Sequence, residues 1–325
     1  MFDIICSAIS AILLFFYAIH RFSKIVARCN IHQLKRFFAK IVNNPFKSIS
    51  LGASSACLMQ SNKAVSAIVL TLVNAGAITV LNAVPILFST PIGSSSTAFL
   101  VSMKFKSMEE ILIILGAIIK KTKYKNIGHI IFYLGLLLLA LEIMTTATNA
   151  LQNEQWFRNI FTITNNAIIL FLIGIILSFT LQVSALFVGL TTILVNCGAM
   201  PMYNAISLSN GVIIGSTLSL LIVSWSMNDK AKKACYIHIV LMVIASISLL
   251  PFTNIFAIIG NNIGNNGFGY AVANFILRTT MCIIGLLLFY LVYYNKYVKK
   301  LIHLVIYDVK NPQHTHITAK THITK

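Results

Sequence analysis

Acidic side chains are scarce: seven Asp and Glu stand against 25 Lys and Arg in 325 residues. Charge of either sign is scarce too, at 10% of the chain, where a soluble domain carries roughly 25%. With 58% of residues hydrophobic, the apolar surface cannot be hidden in a water-exposed particle. That excludes an ordinary soluble domain and makes lipid the solvent. Cysteine is sparse and unpaired in spacing. Cys6, Cys29, Cys57, Cys197, Cys235 and Cys282 form no CxxC and read as small buried hydrophobes, not a disulfide frame or metal site. No Gly-rich nucleotide loop, HExxH or nucleophile elbow occurs, so an enzyme has no catalytic constellation to stand on. No basic n-region precedes residues 2–19, which therefore read as a first span and not as a cleaved signal peptide.

What the chain does have is a series of long apolar stretches, near 2–19, 64–80, 83–103, 127–148, 166–195, 205–226, 235–259 and 268–294. A helical span needs about 20 such residues, and the weak alternation argues against an outer-membrane barrel. The expected fold is all-α and integral to the membrane, with eight or nine membrane-embedded helical elements. The stretch 111–119 is short for a crossing and leaves the topology around 104–119 open.

The net charge of +18 is clustered. Basic residues crowd 20–47 (Arg21 to Lys47), 120–125, 230–233 and the C-terminal end from Lys296, whereas the connectors 149–165 and 260–267 hold only Arg158 among them. This is the positive-inside pattern. It puts the basic segments and the C-terminus in the cytoplasm, and it favours anionic lipid over nucleic acid as what the charge meets. The polar tail 308–325, with His314, His316 and His322, reads as disordered.

The sequence also matches itself. Shifted by 122 residues, positions 41–102 fall on 163–224 with 17 identities in 62. Gln60 falls on Gln182, Val73-Asn74 on Val195-Asn196, Gly76-Ala77 on Gly198-Ala199, and Ile92-Gly93-Ser94 on Ile214-Gly215-Ser216. Shared apolar composition does not produce matched Gln, Asn and Gly at fixed spacing. Because the first copy follows a basic segment and the second a charge-poor one, the copies are expected to be inverted. Inverted repeats are a common plan of secondary transporters, with substrate held at the repeat interface. The expected division is a first half 1–126, a second half 127–307 and the tail 308–325.

Each copy carries two polar interruptions. The first is Gln60-Ser61-Asn62-Lys63, matched by Gln182-Val183-Ser184-Ala185. The second runs Ser89 to Thr97 with Pro91 and Gly93, matched by Gly211 to Thr217. Gly and Pro are expected to break the helix there and free backbone groups, which survive at membrane depth only against protein or water. Hydroxyl oxygens beside a break can hold a cation, and half-helix N–H groups can hold an anion. Small hydroxyl residues also serve simple helix packing. Lys63 is the only charged side chain from 48 to 103. An intramembrane charge suggests function, either attracting an anion or standing in for a coupling cation; snorkelling to headgroups is the alternative. Glu142 and Arg278 also lie in apolar stretches, the latter as an anion ligand or a structural partner.

Gly52 and Gln60-Ser61-Asn62-Lys63, with Val73-Asn74-Ala75-Gly76 and Ile92-Gly93-Ser94-Ser95, resemble the sodium–phosphate cotransporter family. That family carries a QSSS motif and a GANIGTT-like motif in each of two inverted repeats, and the likeness covers most of 1–307. The resemblance implies re-entrant hairpins and a carrier, monomeric or homodimeric, in the plasma (bacterial inner) membrane. It implies phosphate or a related small anion as substrate and sodium as coupling ion, with no other cofactor. By position the binding residues would be Gln60, Ser61, Asn62, Lys63, Ser94, Ser95, Ser96, Thr97, Gln182, Ser184, Ser216, Thr217 and Ser219. Of the QSSS serines only Ser61 and Ser184 remain, and the GANIGTT asparagine is Pro91 in one copy and Ile213 in the other. A non-transporting membrane scaffold of the same fold is the alternative those losses leave open. With the chain ending at 325, the family's common cytoplasmic regulatory domain is expected to be absent.

Overall fold

The computed structural model describes residues 2–41, 44–103, 107–152, 154–162, 166–264 and 266–294. The tail 308–325, its three histidines, and Lys104 and Lys106 lie outside the described residues. Among those described, all regular structure is helical. The first part of the chain forms α1 (Phe2–Ile41), α2 (Pro45–Met59), α3 (Asn62–Asn74), α4 (Val80–Ser94), α5 (Ser96–Ser102) and α6 (Met108–Ile119). Then come α7 (Lys125–Leu151), α8 (Gln155–Thr162), α9 (Ala167–Leu181), α10 (Ser184–Asn196), α11 (Met202–Leu218) and α12 (Leu220–Ser224). The chain closes with α13 (Asp229–Leu249), a 3-10 turn Leu250–Phe252, α14 (Thr253–Asn261) and α15 (Asn266–Tyr294).

Six helical stretches are long and apolar enough to cross a membrane: Asp3–Val26, Val80–Ser102, Lys125–Leu151, Met202–Ser224, Asp229–Asn261 and Asn266–Tyr293. Two of the eight apolar stretches read from sequence are not single spans. The stretch 64–80 is α3, whose 13 residues reach only about 20 Å at 1.5 Å per residue, short of a hydrocarbon core of about 30 Å. The stretch 166–195 is divided at Gln182 into α9 and α10. The 12-residue α6 is likewise too short to span. It folds back along α7, where a Cβ on Gly116 would meet Phe132 N at 2.4 Å and one on Gly135 would meet Ile113 N at 2.8 Å.

The helix is not broken at Pro91 and Gly93 as expected; α4 continues through both to Ser94. Proline removes the N–H that would bond four residues back, which at Pro91 leaves Leu87 O short of a donor. The Thr90 hydroxyl supplies it at 2.9 Å. Ser94 Oγ and Ser95 Oγ donate in the same way to Pro91 O and Ile92 O. The hydroxyl run therefore repairs the ladder inside a buried helix. The real interruption comes at Ser95, where α4 gives way to α5, and at Ser219, where α11 gives way to α12.

The 122-residue offset recurs in the packing. α2 lies along α4 at two glycines: a Cβ on Gly52 would come within 2.5 Å of Ile86 O, and one on Gly93 within 1.9 Å of Ala53 O. α9 lies along α11 at the matching pair, Gly174 against Leu208 O and Gly215 against Ile175 O, each at 2.3 Å. Backbones this close need residues without a Cβ, the usual means of helix association in lipid. α3 and α10 both end in left-handed glycines, Gly76 and Gly198. Ala77 N bonds Leu72 O and Ala199 N bonds Leu194 O, each at 2.9 Å, a Schellman closure. Asn74 then clasps the start of α13, its side chain accepting from Asn228 N and its carbonyl from Asn228 Nδ2, both at 2.7 Å.

α15 runs through the largest apolar core, where Ala271, Ala273, Leu277 and Met281 are buried with Phe88 of α4 and Ile213 and Ile214 of α11. α1 pairs with α7 through Phe15, Ala18, Leu137 and Ala140. The outer faces are apolar as well. Val240, Ile244 and Ile247 form an exposed stripe at helical spacing on α13, as do Ile283, Leu287 and Leu291 on α15. Such stripes suit lipid and would be unstable in water.

Candidate functional site

Two glutamines with left-handed backbone mark the site. α2 ends at Gln60 (φ 50°, ψ 28°) and α9 at Gln182 (φ 57°, ψ 18°). A residue with a Cβ pays roughly 1–2 kcal/mol there, so the surrounding structure must hold it in place. The left-handed turn ends one helix and starts the next within two residues, pointing the N-termini of α3 and α10 into the molecule.

Gln60 is buried and its amide is fully engaged. Nε2 donates to Cys57 O at 2.8 Å and to Ser96 Oγ at 2.9 Å, while Oε1 accepts from Thr97 Oγ1 at 2.7 Å. Its counterpart Gln182 is exposed. Its Oε1 accepts a close hydrogen bond from Lys63 Nζ, so the lone charge between 48 and 103 turns to the glutamine of the second copy. Beside this pair, Asn62 at the start of α3 joins the copies again. Asn62 Nδ2 donates to Ser216 Oγ at 3.0 Å, and Asn62 Oδ1 accepts from Ser184 Oγ at 3.2 Å. Asn62 and Ser184 are 122 residues apart, so equivalent positions of the two copies touch each other.

The remaining candidates divide. Ser94 is buried and accepts from Arg278 Nη1 at 2.7 Å. Ser61 caps α3 by accepting from Ala64 N at 3.2 Å. Ser95, Thr217 and Ser219 spend their hydroxyl protons on the carbonyls of Ile92, Ile213 and Ser216 in their own helices. Ser216 donates likewise to Ile213 O, but its oxygen also accepts from Asn62 of the other copy. The structure thus joins Gln60, Ser96 and Thr97 in one group, and Asn62, Lys63, Gln182, Ser184 and Ser216 in another.

Arg278 of α15 belongs with the first group and was not among the residues placed there by motif. It is 1% exposed. Besides Ser94 it donates from Nη1 to Pro91 O at 3.0 Å and from Nε to Asn274 Oδ1 at 3.0 Å. The only sequence signal was a single arginine in a long apolar stretch. Beside Ser95 and Ser96 lies a cavity of about 270 Å³, lined also by Cys57, Gly93, Phe99 and Phe275. Chemically the region offers hydroxyl and amide groups from both copies and two cations, with no carboxylate in either group. That set suits a small anion.

A family model described as Na+/Pi-cotransporter matches residues 14–146 and 141–249, which include both glutamines and both polar elements. Among curated proteins, the "Uncharacterized protein YqeW" of Bacillus subtilis (strain 168) is 22% identical over 254 residues, 77% of this chain and 83% of that protein. The "Putative inorganic phosphate export protein YjbB" of Escherichia coli (strain K12) is 23% identical over 254 residues, 77% of this chain and 47% of that protein. Its namesake in Salmonella typhimurium is 24% identical over 251 residues, 76% of this chain and 46% of that protein. The chain therefore spans about half the length of these export-protein relatives. No solved structure matches. The model match runs through both copies and most of the helices that carry them, and on that basis the chain belongs to the Na+/Pi-cotransporter family.

Proposed function

We propose that this chain is a secondary carrier of inorganic phosphate or a related small anion. The observation that carries the reading is the contact between copies: Asn62 with Ser184 and Ser216, and Lys63 with Gln182. A site assembled from both copies is what alternating access requires, because motion of one copy against the other opens and closes it. Family membership and the relatives' printed names support phosphate as the substrate.

In this reading the halves 1–126 and 127–307 each hold one of two inverted repeat units, 41–102 and 163–224. The pairs α2–α3 and α9–α10 are re-entrant hairpins, which with the six long stretches and α6 give about nine embedded elements. The membrane is the bacterial inner membrane, with the basic segments and C-terminus in the cytoplasm and anionic lipid against them. A monomer or a homodimer is the form carried over from the family. Thirteen residues make up the site: Gln60 to Lys63, Ser94 to Thr97, Gln182, Ser184, Ser216, Thr217 and Ser219. Ser94, Ser95, Ser216, Thr217 and Ser219 donate to carbonyls of their own helices, so donation to an anion requires that these hydroxyls leave those carbonyls during transport.

Sodium coupling is a separate matter. The Lys63 ammonium occupies the oxygen of Gln182, a place where a coupling cation would otherwise bind. This observation favours transport that does not need sodium. The test is labelled-phosphate flux in proteoliposomes, measured in both directions with and without a sodium gradient. Flux indifferent to sodium is the expected result, and sodium-stimulated flux would remove the role given to Lys63. No flux of phosphate or of arsenate in either direction would sink the carrier reading and leave the scaffold alternative.

A further inference from the structure

Arg278 is a buried cation without a counter-ion. Among the described residues no acidic side chain pairs with it, and its Nη2 has no hydrogen-bond partner. One turn earlier on α15, the Nδ2 of Asn274 is also buried and unpartnered. The two side chains are locked together: Asn274 Oδ1 accepts from Arg278 Nε at 3.0 Å and from Ser209 Oγ at 2.8 Å. Nη1 is consumed by Pro91 O and Ser94 Oγ. What remains is the guanidinium's Nη2 and the amide's Nδ2, two NH2 groups fixed in orientation and enclosed by protein. Native proteins leave few buried donors unsatisfied, and burying a charge is costly unless it is paired. Two adjacent orphans, one of them cationic, call for a ligand that is an acceptor and an anion.

We propose that Arg278 Nη2 and Asn274 Nδ2 bind the transported oxyanion when the site is closed to both sides of the membrane. This rests on the carrier reading and supplies the residues that meet the substrate's charge. A tetrahedral oxyanion can accept from Nη2 with one oxygen and from Nδ2 with another, and the charge on the guanidinium strengthens the first of these bonds. Location supports the assignment. Arg278 reaches Ser94, whose carbonyl accepts from Thr97 Oγ1 at 3.2 Å, and Thr97 in turn holds Gln60. The arginine is thus three hydrogen-bonded steps from the first glutamine. Its anchor Asn274 is tied through Ser209 to α11 of the other copy, so both copies fix the two donors.

The experiment reads thermal unfolding and equilibrium binding of labelled phosphate to the purified full-length chain, with chloride at equal ionic strength as control. Phosphate is expected to raise the melting temperature of the wild type. Arg278→Gln is expected to lose that rise, and Arg278→Lys, which keeps the charge but not the planar fork, to bind phosphate about tenfold more weakly. Asn274→Asp guards against a misfolded Arg278→Gln. It places a carboxylate beside the arginine at unchanged size, so it should melt higher than the wild type without phosphate and respond no further when phosphate is added. A purely structural arginine predicts the reverse pattern, with phosphate stabilising Arg278→Gln and Asn274→Asp as much as the wild type. That outcome overturns the assignment and leaves the carrier reading intact if flux persists. A wild type that neither phosphate, arsenate nor sulfate stabilises also overturns it, and flux in proteoliposomes then decides the carrier reading on its own.

Discussion

Gln60 and Gln182 hold the same place in the two copies and the same left-handed backbone, yet their surroundings differ. Gln60 is buried and bonded on both sides of its amide to Ser96 and Thr97 of its own copy. Gln182 is exposed and meets Lys63 of the other copy. The reason is in the sequence 122 residues on. Ser96 is matched by Leu218, which cannot hydrogen bond, and Thr97 by Ser219, whose hydroxyl is taken by Ser216 O. One glutamine is a closed structural joint and the other is an open contact point. The two copies share the left-handed turn between their helices, and in only one of them is the glutamine satisfied within its own copy.

The largest expected effect comes from breaking the open contact. Lys63→Ala removes the cation that links the copies and should abolish transport, with flux down about a hundredfold or more, while the melting temperature changes little because the partner is exposed. Unchanged flux would return Lys63 to a headgroup-seeking role. Next is the close packing that each hairpin shares. Gly93→Val and its counterpart Gly215→Val drive side chains into Ala53 O and Ile175 O, and overpacking of this kind costs about 1–3 kcal/mol or more. Both should unfold at lower denaturant than the wild type. A harmless outcome in one copy alone would show that the packing is less alike than the matched distances indicate.

Stability should separate the glutamines. Gln60→Leu leaves Ser96 and Thr97 without their partner and removes three bonds. At about 0.6 kcal/mol per bond within membranes, the loss should be about 2 kcal/mol. Gln182→Leu loses one exposed contact, and as a surface change should cost under about 0.5 kcal/mol. Equal losses in the two variants, measured by denaturant unfolding in detergent, would erase the distinction between joint and contact.

Much of this arrangement was legible in the sequence, and what was not has physical causes. Lipid as solvent followed from composition, because scarce charge leaves no other environment. The matched glutamines followed from the fixed offset, and they do end their helices. The breaks expected at Pro91 and Gly93 failed because a missing hydrogen bond says nothing about what replaces it; Thr90 replaces it at Leu87 O. Which hydroxyls face the other copy was also out of reach. Ser216 and Thr217 both donate to Ile213 O, and of the two Ser216 also accepts from Asn62, a choice set by which side of α11 lies against α3. Arg278 could be seen as unusual but not assigned, since its place beside Ser94 depends on how α15 crosses α4, 184 residues away.

The smallest expected effect would test whether the difference between the copies arises at one position. Leu218→Ser restores the residue type that Ser96 supplies in the first copy. Loss of the leucine's partly buried surface will mask any gain in the single variant, so the informative quantity is its coupling to Gln182→Ala in a double-mutant cycle. A hydroxyl that engages Gln182 should give a favourable coupling of about 0.6 kcal/mol. It should also weaken the hold of Lys63 on the same amide, lowering flux modestly where Lys63→Ala removes it. Strict additivity, with flux unchanged, would mean that Leu218 is not what keeps Gln182 open. The asymmetry would then lie in the hairpin's position, with α9 and α10 held apart from α12 by the rest of the fold.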